Sequence, residues 1–308
     1  MAFIYSPLSI GILAMLVSSF FFAVMGAEGK ILSNHLSPIE IAFFRAFVML
    51  LFLLPMVIGK PIKHAYQRKG GWWILTARAV AGGLSFVALF YNISTIALGT
   101  ATAFAQSMPL YIVVLSIIFL KERIKWGVIA FTIIGFVGIL LICDPRLDTL
   151  GAFNIFLGIV SGLGMAIAFL NLQALKDYFT SSFIIFFTGV VMCLVACIVS
   201  FVPFSPMSQA WVMPRGIEWL HLVLLGFFGT IGQYFLTKAY MNAPAGIISP
   251  IDYTRLVFSW ILGLMLGDAL PSLETALGIV LIIISGIGVG LPVFLHDMRN
   301  YRQRRKNG

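Results

Sequence analysis

Ten apolar stretches of about 20 residues divide the 308-residue chain and leave only short connections between them. A helix needs about 20 mostly apolar residues to cross the hydrocarbon core of a bilayer, so each stretch predicts one transmembrane helix. The predicted spans are 9–28, 38–59, 72–95, 100–120, 126–143, 152–172, 181–202, 218–238, 246–267 and 273–295. The pattern predicts an all-α integral membrane protein with no soluble catalytic or nucleotide-binding domain.

The charge balance agrees with this interpretation. The chain is 60% hydrophobic and 10% charged, with a formal net charge of +9. A nucleic-acid surface would need Lys and Arg clustered on a soluble face, whereas here they lie in short loops between apolar stretches. We therefore expect the lipid bilayer, and no nucleic acid, as the partner.

Lys and Arg residues also predict the orientation, because cytoplasmic loops of membrane proteins are enriched in them. If the N-terminus lies in the cytoplasm, the loops on the outer side contain only three basic residues, Lys30, Arg146 and Arg215. The inner side collects fourteen basic residues, namely Lys60, Lys63, Arg68, Lys69, Lys121, Arg123, Lys125, Lys176, Lys238, Arg299, Arg302, Arg304, Arg305 and Lys306. This predicts a multi-pass protein of the bacterial cytoplasmic (inner) membrane with both termini in the cytoplasm.

The two halves of the chain carry a weak internal repeat. "IIFLKERIKWG" after the fourth span corresponds to "LMLGDALPSLE" after the ninth, which places Glu122 over Asp268 at an offset of 146. A repeat of five spans enters the membrane upside down the second time, and inverted repeats are common in secondary transporters. We predict two inverted five-helix repeats, 1–145 and 146–298, followed by a basic cytoplasmic tail, 299–308.

Three stretches carry a resemblance to a known family. They are "IEIAFFRA", "ILTARAVAGGLSFVALFYNISTIALGTATAFAQSMPLYIVVLSIIFLKER" and "QYFLTKAYMNAPAGIISPIDYTRLVFSWILGLMLGDALPSLETALGIVLIIISG". Together they resemble the EamA-type branch of the drug/metabolite transporter superfamily, and Arg45 and Arg78 resemble the subgroup of S-adenosylmethionine carriers. The resemblance implies a ten-helix transporter fold with a central cavity. It leaves the substrate open, because members carry amino acids, nucleotide-like metabolites, cofactors, chelators and toxic compounds.

Charges inside the spans are the first candidates for a site. Arg255 lies nine residues into its span, about 13 Å deep at 1.5 Å per residue, where an unpaired charge is costly. Asp252 lies three residues earlier on the same helical face, so the two can pair. The pair either neutralises itself or serves the solute, with Arg255 as an anchor for a carboxylate or phosphate. Arg45 can reach the cavity or snorkel to the headgroups, and we expect Arg78 to snorkel.

Neutral polar side chains form a second set of candidates. Seven of them lie on spans that line the central cavity in the resembled fold, namely Gln106, Gln233, Tyr91, Asn92, Asn171, Tyr234 and Tyr253. Each can also do no more than hydrogen-bond a neighbouring helix, a contact worth under about 2 kcal/mol. Pro109 and Pro250 each remove a backbone hydrogen bond near this set and are expected to bend their helices.

Secondary transport is the function that these features favour. We expect a small polar or amphipathic metabolite, such as an amino acid or a nucleotide-like cofactor, to cross by alternating access; a drug or toxic-metabolite exporter of the same fold is the alternative. A primary pump is excluded because no GxxxxGK[ST] loop is present. A membrane enzyme or scaffold has little support, since no HExxH motif occurs and the four histidines lie at span ends or in loops. We expect no cofactor and no metal; protons remain a candidate coupling ion, and a monomer is compatible with the sequence.

Overall fold

The structure, a computed structural model, describes residues 6–58, 70–96, 98–143, 150–201, 211–265 and 272–307, and these residues form helices and connections without a strand. Several residues used to predict the topology lie outside this part of the chain, and so does Asp268 of the predicted repeat. The topology residues concerned are Lys60, Lys63, Arg68, Lys69 and Arg146.

Twelve α-helices and one 3-10 helix follow one another in the described residues. They are α1 (Pro7–Leu32), α2 (Pro38–Val57), α3 (Gly71–Thr95), α4 (Leu98–Ala105), α5 (Met108–Phe119), α6 (Trp126–Cys143), α7 (Ala152–Leu175), α8 (Ser181–Phe201), α9 (Glu218–Asn242), α10 (Ala245–Ile248), the 3-10 helix (Ser249–Tyr253), α11 (Thr254–Met265) and α12 (Leu273–Asn307). Nine segments are long and apolar enough to span a membrane, and a shorter apolar segment covers Ala103–Phe119. This confirms the predicted all-α membrane fold.

Helix starts follow ordinary capping rules. Ser37 accepts a hydrogen bond from the Glu40 backbone N–H while the Glu40 carboxylate accepts one from Ser37, and Pro38 occupies the first turn of α2. The second Glu40 oxygen accepts a bond from the Val212 backbone at 2.5 Å, so this carboxylate also holds the segment before α9. The fully buried Glu40 carboxylate therefore connects the start of α2 to the segment before α9 through hydrogen bonds.

The fourth and ninth spans differ from the prediction, which made each a continuous segment. The fourth is interrupted at Gln106 and Ser107, between α4 and α5, and the ninth is interrupted by the 3-10 helix. Pro109 lies in the first turn of α5 and Pro250 in the first turn of the 3-10 helix. Because proline lacks a backbone N–H and its ring clashes with the preceding turn, it weakens a regular α-helix at these positions, although α2 and α12 continue through Pro55 and Pro292.

The two interruptions fall at equivalent places in the two halves. The offset of 146 that relates the halves places Gln106 over Asp252, which lies inside the 3-10 helix. Discontinuous helices at corresponding positions of inverted repeats mark the substrate region in many transporters. The two interruptions therefore predict that the substrate region lies at the level of the membrane where Gln106 and Asp252 are found.

Packing between the halves follows the same symmetry. Helix α1 packs along α9 as α3 packs along α7, while α2 pairs with α8 and α6 with α12. Helices α6 and α12 cross at backbone contact, since a Cβ added to Gly138 would lie 2.6 Å from the Gly278 oxygen, and one on Gly278 would lie 2.5 Å from the Gly138 oxygen. The main apolar core lies among α1, α7, α9 and the interrupted ninth span, around the region of interest.

Candidate functional site

An ion pair occupies the interruption of the ninth span. Asp252, in the 3-10 helix, is 1% exposed, and its Oδ2 accepts a hydrogen bond from Nη2 of Arg255 in the first turn of α11. The Ser19 hydroxyl of α1 lies 3.5 Å from the other oxygen, Oδ1. The pair that the spacing of three residues made possible is therefore formed, and α1 lies against it.

A second guanidinium approaches from the other half of the protein. Arg45 of α2 and Arg255 both face the ring of Phe22, with their guanidinium carbons 5.8 and 5.0 Å from its centroid. They are close enough to interact electrostatically. Two positive charges around one ring repel each other, and the attraction of each for the aromatic face offsets only part of that cost. The arrangement therefore favours an additional negative charge.

Seven buried side-chain polar atoms have no hydrogen-bond partner among the described residues, and four of them belong to Arg255 or to residues that interact with the ion pair. These four are Nε of Arg45, Nε of Arg255 and the hydroxyl oxygens of Tyr240 and Tyr253; the others are Nε of Arg78 and the hydroxyl oxygens of Ser249 and Thr237. Buried polar groups are nearly always paired, so the four atoms at the ion pair are available for polar contacts beyond those within the chain. Tyr240 interacts electrostatically with both Asp252 and Arg255, and Tyr253 with Asp252. We call Phe22, Arg45, Tyr240, Asp252 and Arg255 the arginine cluster.

Tyr240 and Phe22 belong to this cluster although the sequence did not single them out. Tyr240 lies beyond the predicted end of its span at residue 238, whereas α9 continues to Asn242. The Tyr240 ring is fully buried and stacks on Phe169 of α7, with centroids 5.2 Å apart. For Phe22, the hydroxyl pair of Ser18 and Ser19 one turn earlier was the available signal, since two adjacent hydroxyls in a span indicate a polar neighbour.

Gln233, Asn171 and Gln106 are half-buried and lie near this level. Gln233 follows Gly232, whose carbonyl accepts a hydrogen bond from Ser18 at 2.8 Å. Asn171 lies two residues from Phe169, which stacks on Tyr240. Gln106 lies at the equivalent interruption in the first half. Their contribution to a solute site stays a prediction.

Three other predicted residues make contacts away from the arginine cluster. The amide of Asn92, at the end of α3, exchanges hydrogen bonds with Asn154 of α7 at 3.0 and 3.2 Å. Tyr91 lies edge-on to Phe153. Tyr234 borders an apolar cavity of about 260 Å³ between α2 and α9, and Lys238 lies 5.3 Å from its ring centroid.

Arg78 does not snorkel, and that expectation was wrong. Its side chain is 2% exposed, and Nη1 donates a hydrogen bond to the Thr188 hydroxyl at 2.5 Å. The reason is α8, which packs against α3 and supplies a hydroxyl at the depth of the guanidinium. A partner from a distant part of the chain replaces the headgroup region that snorkelling would have reached.

Carboxylates connect the halves at both ends of the bundle. At the predicted cytoplasmic end, the two Glu122 oxygens accept hydrogen bonds from the backbone N–H groups of Ala245 and Gly246, each at 3.2 Å. These donors begin α10, so Glu122 caps the first piece of the interrupted span. At the predicted outer end, Glu28 lies 2.6 Å from His221. In the part of the chain that the structure describes, no group of three His, Cys, Asp or Glu residues could hold a metal ion.

Comparisons with known proteins agree with this architecture. The sequence profile of the EamA-like transporter family matches residues 9–143 and again residues 152–291. A crystal structure superposes with a TM-score of 0.74 at 17% identity, covering 93% of this chain and 97% of the other. At that identity the superposition supports the fold alone.

Three relatives carry transporter names. An uncharacterized transporter of Helicobacter pylori is 40% identical over 289 residues, 94% of this chain and 97% of the relative. A pseudopaline exporter of Pseudomonas aeruginosa is 30% identical over 282 residues, 91% and 95% of the two chains. An S-adenosylmethionine uptake transporter of Rickettsia felis is 30% identical over 262 residues, 82% and 83% of the two chains.

Proposed function

Because this chain belongs to the EamA-like transporter family, we propose that it moves a small organic solute with a carboxylate or phosphate group across the membrane. Transport rather than catalysis is the activity of the family and of the named relatives. The observation that carries the anionic part of the proposal is the unpartnered Nε of Arg45 and of Arg255, two guanidinium groups that both lie over the Phe22 ring. One of these arginines comes from each half of the chain.

The charge count of the arginine cluster supports a solute with a negative group. Asp252 compensates Arg255, whereas Arg45 makes no ion pair within the residues that the structure describes. A buried charge without a counter-ion is costly, so binding one negative charge at Arg45 would stabilise the cluster. A guanidinium binds carboxylate and phosphate oxygens through two parallel hydrogen bonds, which also fixes the orientation of the solute.

The remainder of the solute would meet aromatic walls. Phe22 contacts both guanidinium groups, and Tyr240 offers a hydroxyl at the edge of a ring stacked on Phe169. Apolar and aromatic walls with a few placed polar groups are typical of sites for small organic ligands. An amphipathic metabolite with one anionic end suits this combination, with Gln106, Gln233 and Asn171 as candidate contacts for its polar body.

Alternating access would switch this site between the two sides of the membrane. We place the protein in the bacterial inner membrane with both termini in the cytoplasm, and assign its repeats to 1–145 and 146–298. The Glu122 bonds to the start of α10 then join the halves at the cytoplasmic side of the arginine cluster. Breaking these two hydrogen bonds is the local change that opening on this side requires.

The relatives suggest the first solutes to test. An uptake transporter for S-adenosylmethionine and a pseudopaline exporter are equally similar to this chain, at 30% identity. S-adenosylmethionine carries a carboxylate, so it is a suitable first probe. Direction does not follow from the site, because alternating access is reversible and the driving gradient decides.

The test uses purified full-length protein and matched pairs of solutes. Amino acids, S-adenosylmethionine and small phosphates are each compared with the amide or ester in which the charge of the carboxylate or phosphate is masked, first by thermal stabilisation and then by uptake into vesicles. We expect at least one solute with a free carboxylate or phosphate to stabilise the protein and to be transported, and its masked analogue to do neither. Equal binding of the masked analogue, or discrimination that persists unchanged in Arg45→Gln, would overturn the proposal.

A further inference from the structure

A second cavity, of about 640 Å³, lies at the predicted cytoplasmic end and shares no residue with the arginine cluster. It is formed by the segment before α1, the start of α6, α10 and the later part of α12. Among the described residues that line it, three are basic or titratable, namely Arg123, Lys125 and His296, and none is acidic. The remaining walls are mostly aliphatic, with Phe131 of α6 and Val289 of α12 among them.

The polar and apolar parts of this cavity are separated along the membrane normal. Arg123, Lys125 and His296 are exposed and lie where α6 begins and where the apolar part of α12 ends. Phe131 lies five residues into α6, about 8 Å deeper, and its ring packs directly on Gly288. Trp126, 85% exposed, follows Lys125 and is placed as aromatic residues are at membrane interfaces. Charge therefore lies at headgroup depth and the apolar wall below it.

We propose that this cavity, the basic crevice, binds an anionic phospholipid of the inner leaflet. The lipid phosphate would lie against Arg123 and Lys125, with one acyl chain along Val128, Phe131 and Val293. Basic pockets between transmembrane helices on the cytoplasmic side are known to select acidic headgroups. A soluble anion would gain nothing from the apolar wall, and a zwitterionic lipid, whose own cation repels Arg123 and Lys125, would gain less from these two charges than an anionic lipid.

The crevice borders the connection that closes the cytoplasmic side. Ile247 of α10 lines it, while Arg123 and Lys125 lie on either side of Ile124, which packs on Gly246. Glu122, one residue before Arg123, caps α10. A lipid in the crevice contacts both partners of this connection, so it stabilises the state in which Glu122 is bound to α10.

The test compares two variants with the same change in net charge. Arg123→Gln/Lys125→Gln alters the crevice, and Lys176→Gln/Lys238→Gln removes two exposed lysines from the same predicted side of the membrane. Retention of phosphatidylglycerol and phosphatidylcholine is measured by native mass spectrometry of the full-length protein in detergent. We expect roughly 30-fold weaker retention of phosphatidylglycerol by the crevice variant and nearly unchanged retention by the control.

A third variant and a soluble anion complete the test. Val128→Trp fills the crevice without changing charge, and we expect it to lower phosphatidylglycerol retention while the protein stays monodisperse in size-exclusion chromatography. If the crevice variant and the control variant lost phosphatidylglycerol equally, the loss would be due to general surface charge, and the proposal would be overturned. Equal retention of phosphatidylcholine would also overturn it, as would thermal stabilisation by glycerol phosphate that the crevice variant loses and Arg45→Gln keeps. The lipid measurements do not depend on the transported solute.

Discussion

The interruptions of the fourth and ninth spans occupy the same position in the two repeats but differ in chemistry. Gln106, at the first, is a neutral amide, whereas Asp252, at the second, is a carboxylate paired with Arg255. A proline follows or lies within each interruption and weakens the α-helix there in both halves. The repeat thus interrupts the equivalent span in each half, once by a break between two α-helices and once by a 3-10 helix, and the side chains make only one copy strongly polar.

The surroundings of the two interruptions differ in polarity as the interruptions themselves do. The second interruption faces α1, where Ser19 and Phe22 contact the ion pair, and Arg45 of α2 approaches the same ring. The first lies against α7, where a Cβ on Gly162 would meet the Ser107 hydroxyl and the Phe104 carbonyl oxygen. We infer that the charged interruption determines the affinity for the solute and the neutral one determines its fit.

The largest expected effect follows from breaking the ion pair. Arg255→Ala leaves the Asp252 carboxylate buried without its counter-ion, which costs about 3–5 kcal/mol of stability. We expect a strong loss of folded protein from Arg255→Ala and a partial recovery in the double variant Asp252→Asn/Arg255→Ala. Fluorescence-detected size-exclusion chromatography measures the yield and vesicle uptake measures transport. Recovery of transport together with yield in the double variant would show that the pair is only structural.

Arg45→Gln is expected to separate stability from binding. Arg45 forms no ion pair within the described residues, so folded yield should stay near that of the unmodified protein. Loss of a charged hydrogen bond to the solute costs about 1.5–3 kcal/mol, or roughly 10- to 150-fold in affinity. Titration calorimetry with the solute found by screening provides the measurement. The control is Arg215→Gln, which removes an exposed arginine, and similar weakening in both variants would contradict a specific role.

Glu122→Gln is expected to loosen the cytoplasmic connection. A glutamine offers one oxygen where Glu122 accepts two backbone hydrogen bonds, and loss of such a helix cap costs about 1 kcal/mol. We expect about fivefold faster maleimide labelling of Ile247→Cys in a background lacking Cys143, Cys193 and Cys197. Glu274→Gln, at an exposed first-turn glutamate of α12, is the matched control and should leave the rate unchanged.

Of the changes at the solute site, the smallest loss of affinity is expected at the neutral interruption. Gln106→Ala removes at most one or two neutral hydrogen bonds to the solute, each worth about 1 kcal/mol, so affinity should fall no more than about 30-fold. Comparison of Gln106→Ala with Arg45→Gln in the same calorimetric titration tests the asymmetry directly. A larger loss for Gln106→Ala would reverse the proposed roles of the two interruptions.

The fold could be predicted because the length and mean hydropathy of a span are properties of the whole helix, and an average over about 20 residues detects them. Interruptions such as Ala105–Met108 affect only a few residues, and a window of about 20 residues conceals them, although the prolines indicated where they fall. The Asp252 and Arg255 pair was predictable because a separation of three residues is a local relation. The approach of Arg45 to Phe22 and Arg255 was not, since it depends on how α1, α2 and α11 meet.

The position of Arg78 has a consequence in time. Its partner Thr188 follows 110 residues later, and ribosomes add about 5–20 residues each second, so the guanidinium waits about 5–20 s for that hydroxyl to be synthesised. Throughout this interval the headgroup region is the nearest polar environment that the side chain can reach. We therefore expect Arg78 to snorkel in the nascent chain, although it does not do so in the finished protein, and to become buried only after α8 has been synthesised.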